Sequence, residues 1–420
     1  MKVKYFLYRS SLAQRMSADI RCAKLLLFFL LALSLQGCLG VGSDGGSGNS
    51  GNFKTVHTDS KHTIGINQDS FLFKGTLYFT QGRTIFALDG KRNVQQITTN
   101  GDFRNPAVSP NGKWLAAVIR YKNYSDLVYK PVQGDTWTIL RSGQGKFYQN
   151  GAFIKNTYYW YDQPMWSADS SKILFLSDLE KENWYSATHQ DAPLLDLQVF
   201  AIPLNNPAGK PQDVAYADYG DGGDRDAMYR PGHPNEIVYT HYTYDKTGTK
   251  QVIQVYLENA DAIANNPGKY SPGVEGSGFD PSVTLTPNDT TVQNIQPAFS
   301  PDGNTLAYVR RESNGQMSLY VMPLPTQNVT SDPNNPTSIQ QAIAPYKKAS
   351  LLLTQQFVSQ PMWSPDGKQI AYLSYTNNEF NIWLASVTVT SKTGAYKIQG
   401  TPVQLTTGGV DGDSRPFWTP

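Results

Sequence analysis

The chain predicts an all-β protein built from one repeated unit. Three observations carry this: a motif recurs from end to end, each copy reads as two strands about a turn, and the composition suits many short strands. The motif is clearest at residues 360–374, QPMWSPDGKQIAYLS. Weaker copies begin at Asn105 (NPAVSPNGKWLAAVI), Gln163 (QPMWSADSSKILFLS), Arg230 (RPGHPNEIVYTHY) and Gln296 (QPAFSPDGNTLAYVR), and a truncated RPFWTP begins at Arg415. Aromatic residues make up 12% of the chain, with 35 Gly and 26 Pro, which favours strands joined by turns over helices. A length of 420 residues would allow two or three average domains, but the repeat decides for one closed array.

Within a copy, Pro365 presets φ for the first turn residue, Asp366 follows, and Gly367 takes the positive φ that closes the hairpin. Pro110, Asn111 and Gly112 serve the same turn in the first copy, as do Pro301, Asp302 and Gly303 in the Gln296 copy. In the strand that follows, Ile370 and Tyr372 point to one face while Ala371 and Leu373 point to the other. Both faces are apolar, so both must be covered by neighbouring sheets. Upstream, the pairs Ile97-Thr98, Leu285-Thr286, Leu353-Thr354 and Leu405-Thr406 mark a further strand, giving about four per unit.

These residues resemble the P-x-W-S-P-D-G-K-x-I-A-Y signature of the TolB-like bacterial β-propellers. The copies holding Phe299 and Trp363 match it closely, those from Asn105 and Gln163 less so, and the Arg230 copy only by position and by Ile237, Val238 and Tyr239. The resemblance covers the chain from about residue 70 to its end and implies a six-bladed β-propeller over residues 65–420. Blades open near Pro106, Pro164, Pro231, Pro297 and Pro361, at spacings of 58, 67, 66, 64 and 55 residues counting on to Pro416. These exceed a lean four-stranded blade, so inserted loops must account for the excess. The sixth blade is shared between the termini: residues 75–99 supply its last three strands and residues 415–420 its first, burying Phe417 and Trp418 at the ring closure.

Residues 1–37 read as a lipoprotein signal peptide. Six Lys and Arg stand there against one Asp, ahead of the apolar run LLLFFLLALSL at 25–35, which is short for a membrane span and right for a signal core. Leu35-Gln36-Gly37-Cys38 resembles a bacterial lipobox, which implies a diacylglycerol on the Cys38 sulfur, cleavage before it and acylation of the new amine. Leu39 in the next position implies the outer membrane, and Met16 is an alternative start. Residues 38–64 then form a Gly/Ser-rich tether, whose first 14 residues after the cysteine reach on the order of 20 Å. Without the leader, 30 basic residues face 33 acidic ones, a net of −3 that gives no sign of nucleic acid as a partner. Cys22 and Cys38 are the only cysteines, so no disulfide staples the body.

Individuality lies in the inserts. Residues 141–163 carry Phe147, Tyr148, Phe153 and the run Tyr158, Tyr159, Trp160, Tyr161, which reads either as a partner or sugar surface or as a long strand packed on its neighbour. The acidic segment 218–226, DYGDGGDRD, lacks EF-hand spacing and a terminal Glu. Its Asp224 or Asp226, like Asp102 and Asp413, is expected to accept hydrogen bonds from turn amides. His189, His233 and His241 are weak metal-ligand candidates, because propeller lyases resembling this family hold a metal with several histidines. No G-x-S-x-G elbow occurs, which excludes the peptidase chemistry found beside some such propellers. The reading is a non-enzymatic, cofactor-free docking platform for envelope proteins, held to the membrane by its lipid. A metal-dependent polysaccharide lyase or a glycan-binding propeller is the alternative.

Overall fold

Each motif copy folds as two antiparallel strands about a tight turn. In the Gln360 copy the Ser364 carbonyl accepts the Gly367 N–H at 2.9 Å, with Gly367 at φ 68°, and Ser364 Oγ donates to Asp366 Oδ1 at 2.7 Å. The Ser364 hydroxyl also accepts the Gln369 N–H at 2.9 Å, which ties the turn to the next strand. Ser109 and Ser300 repeat this arrangement with Asn111 and Asp302. Ser167 repeats it with Asp169, where Ser170 takes the positive φ in place of glycine.

The computed structural model describes residues 51–420 except 58–61, 71, 181–195, 216, 218, 219, 267–281, 325–342 and 392. Cys38 and His189 lie outside the described residues. All described residues belong to one compact unit, Asn49–Pro420, which is all-β apart from two short helical turns.

Six four-stranded antiparallel groups follow one another. Sheet 1 runs Phe417–Thr419, Thr76–Gln81, Thr84–Asp89, Val94–Gln96. Sheet 2 is Asp102–Val108, Trp114–Arg120, Ser125–Pro131, Thr138–Arg141, and sheet 3 is Tyr161–Trp166, Lys172–Ser177, Gln198–Pro203, Gln212–Ala215. Sheet 4 is Asp224–Arg230, His233–Tyr244, Gln251–Asn259, Val283–Thr284, joined by a single bridge to sheet 5, Gln293–Phe299, Thr305–Arg311, Met317–Pro323, Ser350–Gln355. Sheet 6 is Val358–Trp363, Gln369–Thr376, Glu379–Val389, Tyr396–Gln404. In sheet 1 the chain's end pairs with its beginning, Phe417 opposite Tyr78 and Trp418 opposite Leu77.

Apolar cores lie between successive sheets, as the two-faced strands require. One cluster joins sheets 2, 3 and 4, and others join 4 to 5, 5 to 6, 6 to 1 and 1 to 2. Trp166 and Trp363 stitch these layers: each indole N–H donates to a backbone carbonyl of the preceding sheet, Ala107 at 2.9 Å and Ala298 at 3.2 Å.

Two expectations are corrected. The fourth copy is not in the register assigned from Pro231. The residue before the motif proline has positive φ at Asn105, Gln163, Gln296 and Gln360, each inside a break in strand register, and in sheet 4 that residue is Asp226. Ala227 therefore stands where the others have proline, and Pro231 sits in the turn, level with Pro301. The tether also ends sooner than residue 64. Phe53–His57 pairs with Thr63–Asn67, which pairs in turn with Thr406–Thr407, in a three-stranded sheet.

Candidate functional site

The first strands of the six sheets converge, and at three of them the positive-φ residue bonds a neighbouring first strand through its side chain. Gln163 Oε1 accepts the Asp226 N–H at 2.6 Å, and Gln296 Oε1 accepts the Gln360 N–H at 2.9 Å. Asn105 Oδ1 accepts the Arg415 N–H at 2.6 Å, while its own N–H goes to Ser414 Oγ at 2.8 Å. A positive φ at a non-glycine residue is tolerated because the amide side chain satisfies a neighbouring backbone donor.

On the side where the first strands begin, a charged network joins sheets 1, 2 and 3. Arg104 donates to Asp102 at 2.6 Å and, through Nη1, to both Asp411 and Asp413 at 2.7 Å. Arg120 reaches Asp413 at 2.7 Å and Asp162 at 3.5 Å, and Asn105 Nδ2 also donates to Asp162. Burial pushes the Asp162 carboxyl upward against the pull of Arg120. Burial opposes the charge of Arg120, yet Asp162 and Asp413 together hold it more firmly protonated than usual. The carboxylate that accepts turn amides is Asp411, from Gly82 at 3.0 Å and Arg83 at 2.8 Å. Asp102 and Asp413 instead bind guanidinium groups, and Asp224 binds His241 Nδ1 at 2.8 Å.

Beside this network, Gln144–Gln149 and Ala152–Tyr158 form a hairpin that pairs with no other described strand. Its outer part exposes Phe147 (43%), Tyr148 (54%), Phe153 (52%) and Ile154 (49%), with Tyr148 and Phe153 in edge contact at 5.9 Å. The run Tyr158, Tyr159, Trp160, Tyr161 lies at its base. The first three are half-buried, and Tyr161 is only 2% exposed because it opens the inner strand of sheet 3. The aromatic surface therefore sits several residues upstream of the run expected from sequence.

On the turn side, the first strands and turns of all six sheets enclose a cavity of about 250 Å³. Pro110, Trp166, Met228, Phe299, Trp363 and Phe417 contribute to its wall, together with Arg415. Sequence reasoning passed over Arg415. The signal was present, since it precedes the last motif proline where four other copies have Asn or Gln.

His233 and His241 are not brought together. They sit eight residues apart on one strand, about 26 Å at strand rise, opposite Arg230 and Asp224. His233 lies 3.5 Å from Glu236. Among the described residues no group of three or more His, Cys, Asp and Glu is placed to hold a metal ion.

No protein-family profile and no curated protein matches the sequence. Solved structures do match. TolB from Acinetobacter baumannii aligns over 84% of this chain and 68% of its own, at TM-score 0.51 and 15% identity. An oligogalacturonate lyase from Vibrio parahaemolyticus aligns over 83% and 84%, at TM-score 0.41 and 12% identity. A puromycin-hydrolysing peptidase from Mycobacterium tuberculosis aligns over 84% and 47%, at TM-score 0.41 and 10% identity. The likeness to TolB, with the all-β make-up of the chain, defines the class as an all-β protein with the β-propeller type of fold. Within that class, the chain's similarity is to TolB at the level of fold.

Proposed function

We propose that the six sheets are the blades of one closed ring, and that this ring is a protein-docking platform held to an envelope membrane through Cys38. The carrying observation is the projecting hairpin, which exposes Phe147, Tyr148, Phe153 and Ile154 beside the charged mouth. Aromatic residues clustered on a rigid, self-paired element are the anchors that protein interfaces favour, and Asp413 and the arginines near it supply a polar rim. The resemblance to TolB implies the same, since TolB offers its propeller to a peptidoglycan-associated lipoprotein. Among the described residues no helix is long and apolar enough to cross a membrane.

Affinity isolation from membranes tests the docking surface. The Phe147→Ser, Tyr148→Ser, Phe153→Ser, Ile154→Ser combination is expected to lose the protein captured by the unaltered chain. Retention of the same partner by the substituted protein refutes the surface. Cys38→Ser is expected to move the protein from the membrane to the soluble fraction.

A further inference from the structure

The cavity on the turn side has a feature that the docking surface does not use. Its wall is apolar, drawn from Met165, Trp166, Met228, Phe299, Trp363 and Phe417. The indole N–H groups at its edge are already engaged: Trp166 with Ala107, Trp363 with Ala298, and Trp418 with the Lys74 carbonyl at 2.8 Å. Arg415 is different. It lines the same cavity at 8% exposure, and its Nη2 donates to the Pro297 carbonyl at 3.1 Å with Met228 Sδ at 3.6 Å. Its Nη1 is buried with no protein acceptor.

A guanidinium cannot shed its proton to escape this situation, so the charge persists and a buried donor is left over. Asp226 is the acidic group whose field reaches it, but the Asp226 oxygens take Gln163 Nε2 at 3.3 Å and Thr240 Oγ1 at 3.2 Å. Among the described residues no carboxylate forms an ion pair with Arg415. Charged groups in apolar surroundings call for an anion with matched hydrogen-bonding geometry, and a carboxylate is the planar partner of a guanidinium. A phosphate would bring more oxygens than the apolar wall can satisfy. The volume is smaller than that of a drug-sized site, which limits the occupant to about one ring or branched side chain with its acid group.

We propose that this cavity binds a carboxylate carried on a single aromatic or branched apolar body, with Arg415 taking the acid and the Trp, Phe and Met walls taking the body. Two sources share that chemistry: a free aryl carboxylate and the last residue of a polypeptide. The site is independent of the hairpin surface and stands whether or not that surface docks a protein.

Calorimetric titration of the full chain tests it, with 3-phenylpropionate against 3-phenylpropionamide, and an N-acetylated Gly-Gly-Phe acid against its amide. Both acids are expected to bind saturably, with each amide at least about tenfold weaker. The acetylated peptide binding more tightly than 3-phenylpropionate assigns the site to a chain terminus; equal or weaker binding assigns it to the small acid. Arg415→Gln is expected to abolish the preference for acid over amide. The acid–amide comparison on the unaltered protein stays decisive if that variant does not fold. Equal binding of acid and amide, or no saturable binding by either acid, overturns the proposal.

Discussion

Gly112 and Gly303 occupy the same turn position in two copies, at φ +69° and +70°, yet they do different things. A Cβ on Gly112 meets nothing within 4 Å, whereas one on Gly303 falls 2.1 Å from the Pro231 carbonyl oxygen. Gly303 also lends its own carbonyl to Arg230 Nε at 2.7 Å. Gly112→Ala is therefore expected to cost only the left-handed backbone penalty, about 1–2 kcal/mol. Gly303→Ala should cost clearly more, because it also forces sheets 4 and 5 apart at that point. Denaturant midpoints of the two variants check the order. A second residue responds to pH. Burial raises the Asp213 carboxyl to about 6, with Glu180 adding to the rise and Lys210 opposing it. Between about pH 4 and 6 the folded state binds more protons at this site than the unfolded state, whose carboxyl titrates near 3.9, so its contribution to stability falls as pH rises. Asp213→Asn should raise the melting temperature at pH 7.5 relative to the parent and lose that advantage at pH 4.5; an equal shift at both values contradicts the assignment.

At the scale of elements, the Ser-Pro-Asp-Gly turns and the two-faced second strands were legible because they are local: proline and glycine fix φ, and alternation fixes the faces. The register of the fourth copy is not legible because Asp226-Ala227 has no proline, and the nearest one, Pro231, belongs to the turn. The charged mouth was not legible, since Asp102, Asp162 and Asp411 come from three sheets and only the fold brings them together. The hairpin was half legible. Its aromatic content stood out, but which aromatics face solvent depends on where sheet 3 begins, and that strand takes Tyr161 into the core. Because the hairpin pairs only with itself, replacing residues 146–155 by a short Gly-Ser turn should leave the melting temperature within about 2 °C of the parent, as for surface changes generally. A larger loss in a thermal melt would mean that the hairpin supports the sheets rather than presenting a surface.

For the whole molecule, cores between each sheet and the next, including sheet 6 and sheet 1, are what one continuous array of blades requires. The pairing of Phe417–Thr419 with Thr76–Gln81 then matters out of proportion to its length, because this short strand supplies the first strand of sheet 1. The pairing of the last strand with Thr76–Gln81 is legible in the sequence, because each end lacks a strand that the other supplies. The amide bonds of Asn105, Gln163 and Gln296 to neighbouring sheets are not legible, since nothing local announces a hydrogen bond between sheets. Rigidity is what a docking platform needs from this arrangement, and closure of the ring is its central claim. The direct measurement is thermal unfolding of the chain ending at Ser414 beside the full chain. Trp418 is buried but Phe417, against expectation, only half-buried, so their loss removes roughly 1.5–3 kcal/mol for the tryptophan and less for the phenylalanine, and opens the array. The account predicts a fall in melting temperature of roughly 5–15 °C or loss of solubility, and coincident melting curves would contradict it.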